Sequence, residues 1–178
     1  GVLVTGTLAQ AKGQAAAALT VSSISAAPGV KADVYSAPAT GTRKIIMLLV
    51  MYSNDSQQPQ VPSWYPGIVN ASTGNTVNNF YQSNSWGQFG WSAYATAWLT
   101  LPSPKATYAN CGWSSACADL TTLFNDAVSA GVTYGVNFAL YDNIAIVTNN
   151  DLDCCAWGGS MVYNSKIYGT VWEPPWAA

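Results

Sequence analysis

Histidine is missing from the sequence altogether. That excludes Ser-His-Asp and Cys-His catalytic arrangements, and every zinc site built on imidazole. Charge is scarce too. Only 8% of residues are charged, with six Lys and Arg against eight Asp and Glu, and a net charge of -2. Soluble domains usually carry roughly 25%. The cations are scattered, with Arg43 and Lys44 the one adjacent pair, so no basic patch is expected to hold a nucleic acid. Long apolar runs are also lacking. The longest, Ile45–Tyr52 "IIMLLVMY", is too short to cross a bilayer, and no membrane insertion is expected. The opening "GVLVTGTLAQ" has neither Met nor a basic leader and reads as a processed end. No phosphate-binding glycine loop occurs, "TGT" at 40–42 being too short to mean one.

What is present is apolar, aromatic and amide-rich. Hydrophobic residues make up 49% and aromatics 12% of 178 residues, enough for a real core. The surface must then be built from Ser, Thr, Asn, Gln and Tyr. Such a surface repels its neighbours weakly, which suits self-association or glycan cover. Two sequons occur, at Asn54 and Asn70, both in Pro- and Ser-rich loop sequence. With four cysteines, Cys111, Cys117, Cys154 and Cys155, they point to an oxidising, extracellular setting. Three pairings are possible. A bond between neighbours is rare, so Cys154 and Cys155 are expected to reach across to Cys111 and Cys117.

Segments 2–8 and 17–24 alternate like a hairpin, and 32–37 reads as a third strand. Residues 44–52 form a buried strand, and 53–74 a long surface loop. A helix is predicted over 75–84, capped by Asn75 or Thr76, with Val77, Phe80 and Tyr81 facing inward. Segment 91–101 reads as one strand, with Trp91, Ala93, Ala95, Ala97 and Leu99 on one face and Tyr94 and Trp98 on the other. The clearest helix spans 118–130, with Leu120, Leu123, Phe124 and Ala127 as its stripe and Gly131 as its stop. Strands follow at 143–149 and 157–163. The fold class is therefore α+β or α/β: a β-hairpin module over 1–42 packed against a strand–helix layer over 43–178.

Candidate chemistry is thin. The carboxylates are Asp33, Asp55, Asp119, Asp126, Asp142, Asp151, Asp153 and Glu173, and no pair is set apart for glycosidase work. "NNDLD" at 149–153 reads first as a polar loop and second as a calcium loop using Asp151 and Asp153. Most of the eight Trp and ten Tyr must be core. Trp172 and Trp176, flanking "EPP", are the candidates for exposure, serving either glycans or a contact between copies. Val2, Leu3 and Val4 are candidates for edge pairing with a neighbouring copy.

Five segments in order carry a resemblance: "RKIIMLLVMYSND" (43–55), "VNNFYQSNSWGQFGWSAYATAWLTLP" (77–102), "YANC" (108–111), "LYDNIAIVTN" (140–149) and "CAWGG" (155–159). Together they resemble secreted zinc metallopeptidases of the gametolysin type and, more distantly, of the immune-inhibitor-A type. The resemblance covers roughly residues 43–172, and "VLVTGTL" resembles the β-rich end of such a family's pro-region. It implies a partial metallopeptidase-like scaffold. The family's HExxH helix has no counterpart here, so no zinc ligand and no general base can be carried over. The expectation is a non-catalytic extracellular, structural protein that assembles with copies of itself as a surface or filament component. The alternatives are a fragment of an active peptidase, with zinc bound only by a further C-terminal part, and a glycan-binding module.

Overall fold

The computed structural model describes residues 2–9, 18–26, 39–111 and 115–176, with backbone alone for the first two ranges. The strand expected at 32–37 lies outside the described residues. The chain divides into two units, Gly1–Ala39 and Thr40–Ala178.

The first unit contains β1 (Val2–Ala9) and β2 (Ala18–Ala26), paired antiparallel. Val2, Leu3 and Val4 lie opposite Ala26, Ser25 and Ile24, and the register shifts between Thr5 and Gly6.

The second unit is an α+β fold around a six-stranded mixed sheet. Its elements are β3 (Gly41–Met51), α1 (Trp64–Asn70), α2 (Val77–Asn84), β4 (Phe89–Ala95), β5 (Leu99–Thr100), α3 (Lys105–Tyr108), α4 (Leu120–Tyr134), β6 (Asn143–Thr148), β7 (Trp157–Tyr163) and β8 (Lys166–Glu173). The strand order is β4-β3-β6-β8-β7, with β5 also on β3; only β7 runs antiparallel to its neighbour. β3 is central because its apolar run can be buried on both faces, as a parallel strand requires.

Alternate residues serve two cores. Ile46, Leu48 and Val50 pack with Ile144, Ile146, Tyr168 and Trp172 beneath α4, through Leu123, Phe124, Ala127 and Val128. Met47 and Leu49 pack with Ala93, Ala145 and Val147 on the other face, beneath Tyr65 and Val69 of α1.

Local chemistry explains the element ends. Asp119 caps α4 by accepting from Thr122 N–H, and Thr76 caps α2 by accepting from Asn79 N–H. The helix of α4 runs through Gly131, the predicted stop, and ends at Gly135 with φ +102°. Gly131 serves close packing instead: a Cβ there would lie 2.9 Å from Phe138 Cζ. The strand predicted over 91–101 breaks at Thr96, whose hydroxyl accepts from Leu49 N–H at 3.1 Å. That break shifts the side-chain parity, so Trp98 joins Ala93 in one core. The helix α1 was expected to be loop, because Pro66 and Gly67 interrupt it.

Two further expectations are corrected. Trp172 is not an exposed contact residue; it is 2% exposed, in the core under α4. Phe80 and Tyr81 are not core residues: they are 63% and 40% exposed, with Phe80 edge-on to Tyr81 and Tyr81 edge-on to Phe89 and Trp91. The buried anchor of α2 is polar Asn78, which accepts from Trp91 N–H.

Candidate functional site

A group of polar residues of the second unit lies at the carboxyl ends of β3 and β6. Asn149 is buried, and its amide ties the end of β6 to the 52–57 segment: Oδ1 accepts from Tyr52 N–H, and Nδ2 donates to the carbonyls of Asp55 and Gln57. Asn150 donates to the Asp55 carboxylate at 2.8 Å. That bond and the Gln57 N–H hold Asp55 below the usual carboxylate range.

Asp153 is the most deeply placed carboxylate here, at 2% exposure. Its Oδ2 accepts from the N–H groups of Cys117 and Ala118, and its Oδ1 from Cys155 N–H and Trp157 Nε1–H, all at 2.9–3.0 Å. Burial alone would raise its pKa; the four donors outweigh it and lower the value. Asp153 therefore ties the 117–118 loop to the 153–157 loop.

The disulfides do not make that tie. Cys111 pairs with Cys117, and Cys154 with its neighbour Cys155, at Cα separations of 6.2 and 3.7 Å. The expected cross-links are thus corrected: each bridge closes within its own loop, and hydrogen bonds to Asp153 and from Cys154 N–H to Ser115 O join the two loops. Asp153, Cys154 and Cys155 place ligand-type atoms within 4.8 Å of one another. Both sulfurs are spent on each other, and the carboxylate lone pairs on four donors. A calcium ion would have to displace those donors, so Asp153 does not suit the calcium loop that was the second reading of 149–153.

A second feature lies on the α1/α2 face of the sheet. There a trough of about 290 Å³ is floored by Ile45, Met47, Ala145 and Val171 and walled by Ile68, Val77 and Tyr81. Glu173 closes it, and burial raises its carboxyl above the ordinary range. Trp91 also lines it, with a buried indole N–H that has no partner among the described residues. Beyond the trough, which Gly169 also lines, the same face continues over Ile167 and Val162. No helix of this unit covers it there, and Val162 and Ile167 are 65% and 70% exposed.

No family model and no curated protein matches this chain.

The two edges of the sheet differ. Along β4, Asn70 both donates to and accepts from Ala93, Asn78 accepts from Trp91 N–H, and Ser85 bonds both polar groups of Phe89. That edge is sealed by side chains. Along β7 no side chain bonds the outer backbone among the described residues, and "WGGSMVY" carries no charge.

The remaining sequence candidates are dispersed. Asn54 is exposed and accepts from Lys105 N–H through Oδ1, whereas Asn70 commits both amide atoms to Ala93. Trp176 is 60% exposed, near the end of β8. Asp142 accepts from Lys44 N–H and pairs with exposed Arg43 at 3.3 Å. Among the described residues no helix is long and apolar enough to cross a membrane. The sequence reading missed β8 and its open face. The signal was "KIYGTVWE", whose alternation hides Thr170 among buried aromatics.

Proposed function

We propose that this chain is a non-catalytic, extracellular scaffold with a metallopeptidase-like sheet, and that its function is association with copies of itself. One observation carries this reading: a sheet face with exposed Val162 and Ile167 that continues into a largely apolar trough closed by Glu173. Low overall charge removes the repulsion that would keep copies apart. Two disulfides suit an extracellular setting. Asn54 is its glycan site, since its amide nitrogen is not committed as that of Asn70 is.

The trough favours a second reading. Its apolar floor of Ile45, Met47, Ala145 and Val171 is surface that an added element could cover, and in the gametolysin resemblance a zinc-binding helix follows the segment matched by 156–159. A longer secreted peptidase would supply that helix.

Intact mass and light scattering on native material separate the two. The scaffold reading expects one chain's mass, raised only by the mass of a glycan at Asn54, and particles larger than one chain. A heavier polypeptide carrying His-rich sequence supports the peptidase reading. A dispersed monomer at high concentration overturns the scaffold reading.

A further inference from the structure

The open edge at β7 has a geometry of its own. β7 joins β8 through a two-residue turn, Asn164 and Ser165, both with positive φ of 47° and 61°. That is a type I′ turn, and such a turn closes on a hydrogen-bonded pair, here Tyr163 and Lys166. Bonded and unbonded pairs alternate in an antiparallel ladder. Trp157, Gly159, Met161 and Tyr163 therefore bond β8. Gly158, Ser160 and Val162 turn their N–H and C=O groups away from it, to the free edge.

We propose that this edge is the site at which a second copy docks, β7 against β7, antiparallel about a two-fold axis at Ser160. The proposal rests on the self-association reading above and names its contact. The register is self-complementary. With Ser160 facing its own counterpart, Val162 lies opposite Gly158 of the second copy, and Met161 opposite Gly159. Trp157 lies opposite Tyr163. Large residues thus meet glycines, and aromatics meet aromatics. A Cβ at Gly158 would meet no atom within 4 Å, so there is room above it for an incoming valine. No charge in the strand opposes pairing, and no Lys or Pro guards it. An isologous two-fold contact needs only one such patch. Every outward backbone group at 158, 160 and 162 gains a partner, joining two sheets into one.

The full chain, followed by light scattering over a concentration series, tests this. Wild type is expected to reach twice the mass of one chain. Ser160→Pro removes an outward N–H and no bond to β8, so it should fold and stay at one chain's mass. Val162→Lys puts a cation on the same edge and should weaken pairing at least tenfold. Circular dichroism checks that both variants fold. Mild oxidation of Ser160→Cys should give a covalent dimer, while Val162→Cys, about 13 Å from its counterpart in this register, should not. If both Ser160→Pro and Val162→Lys associate like wild type, the β7 contact is wrong while self-association stands. If wild type is monomeric throughout, both readings fall. Cross-linking by Val162→Cys and not by Ser160→Cys overturns the register.

Discussion

Asp153 shows how one side chain can substitute for a covalent link. Its carboxylate holds four donors from two loops, so removing a lone pair leaves N–H groups buried and facing an amide. Asp153→Asn is expected to cost on the order of 2–4 kcal/mol in urea unfolding. The pH dependence has a definite sign. The native pKa is lowered, so the contribution is complete above the unfolded value, about 4. It is lost as pH falls through the lower native value. Wild type should therefore lose stability steeply in that window, and the Asn variant should show a shallower slope. Equal slopes would mean that Asp153 is not the group that titrates. None of this could be read from "NNDLD", since a chain of oxygen donors looks alike whether it turns toward an ion or toward backbone N–H groups.

At the scale of elements, β3 and β6 were legible because their apolar runs are continuous, and α4 because its stripe repeats on one face. Helix ends were less legible. Gly131 and Gly135 are the same residue type, and only the approach of Phe138 decides which one stops the helix. The inward facing of Phe80 failed for a related reason: α2 is anchored by the amide of Asn78, which no hydrophobic pattern records. Amides likewise finish the β4 edge. Asn70→Ala should leave the N–H and C=O of Ala93 open to water, costing about 1 kcal/mol and speeding exchange of the Ala93 amide. Asn70→Asp keeps the acceptor and loses the donor, so it should retain most of the Ala93 amide protection. Unchanged exchange in the Ala variant would show that the clasp is idle.

For the molecule as a whole, both disulfides are local, spanning sequence separations of 6 and 1. Closing the larger of these loops is worth about 2 kcal/mol. Reduction by dithiothreitol is thus expected to lower the melting temperature less than Asp153→Asn does, and to keep the near-ultraviolet dichroism of the folded unit. Unfolding on reduction would show that the bridges hold the loops after all. The sealed β4 edge has a further consequence, which concerns valence. A sheet that can accept a strand on one side alone has a valence of one: pairing through it stops at two and cannot propagate. Growth beyond a pair would need a second, chemically different contact, such as the trough. Dimer and polymer would then answer to separate mutations.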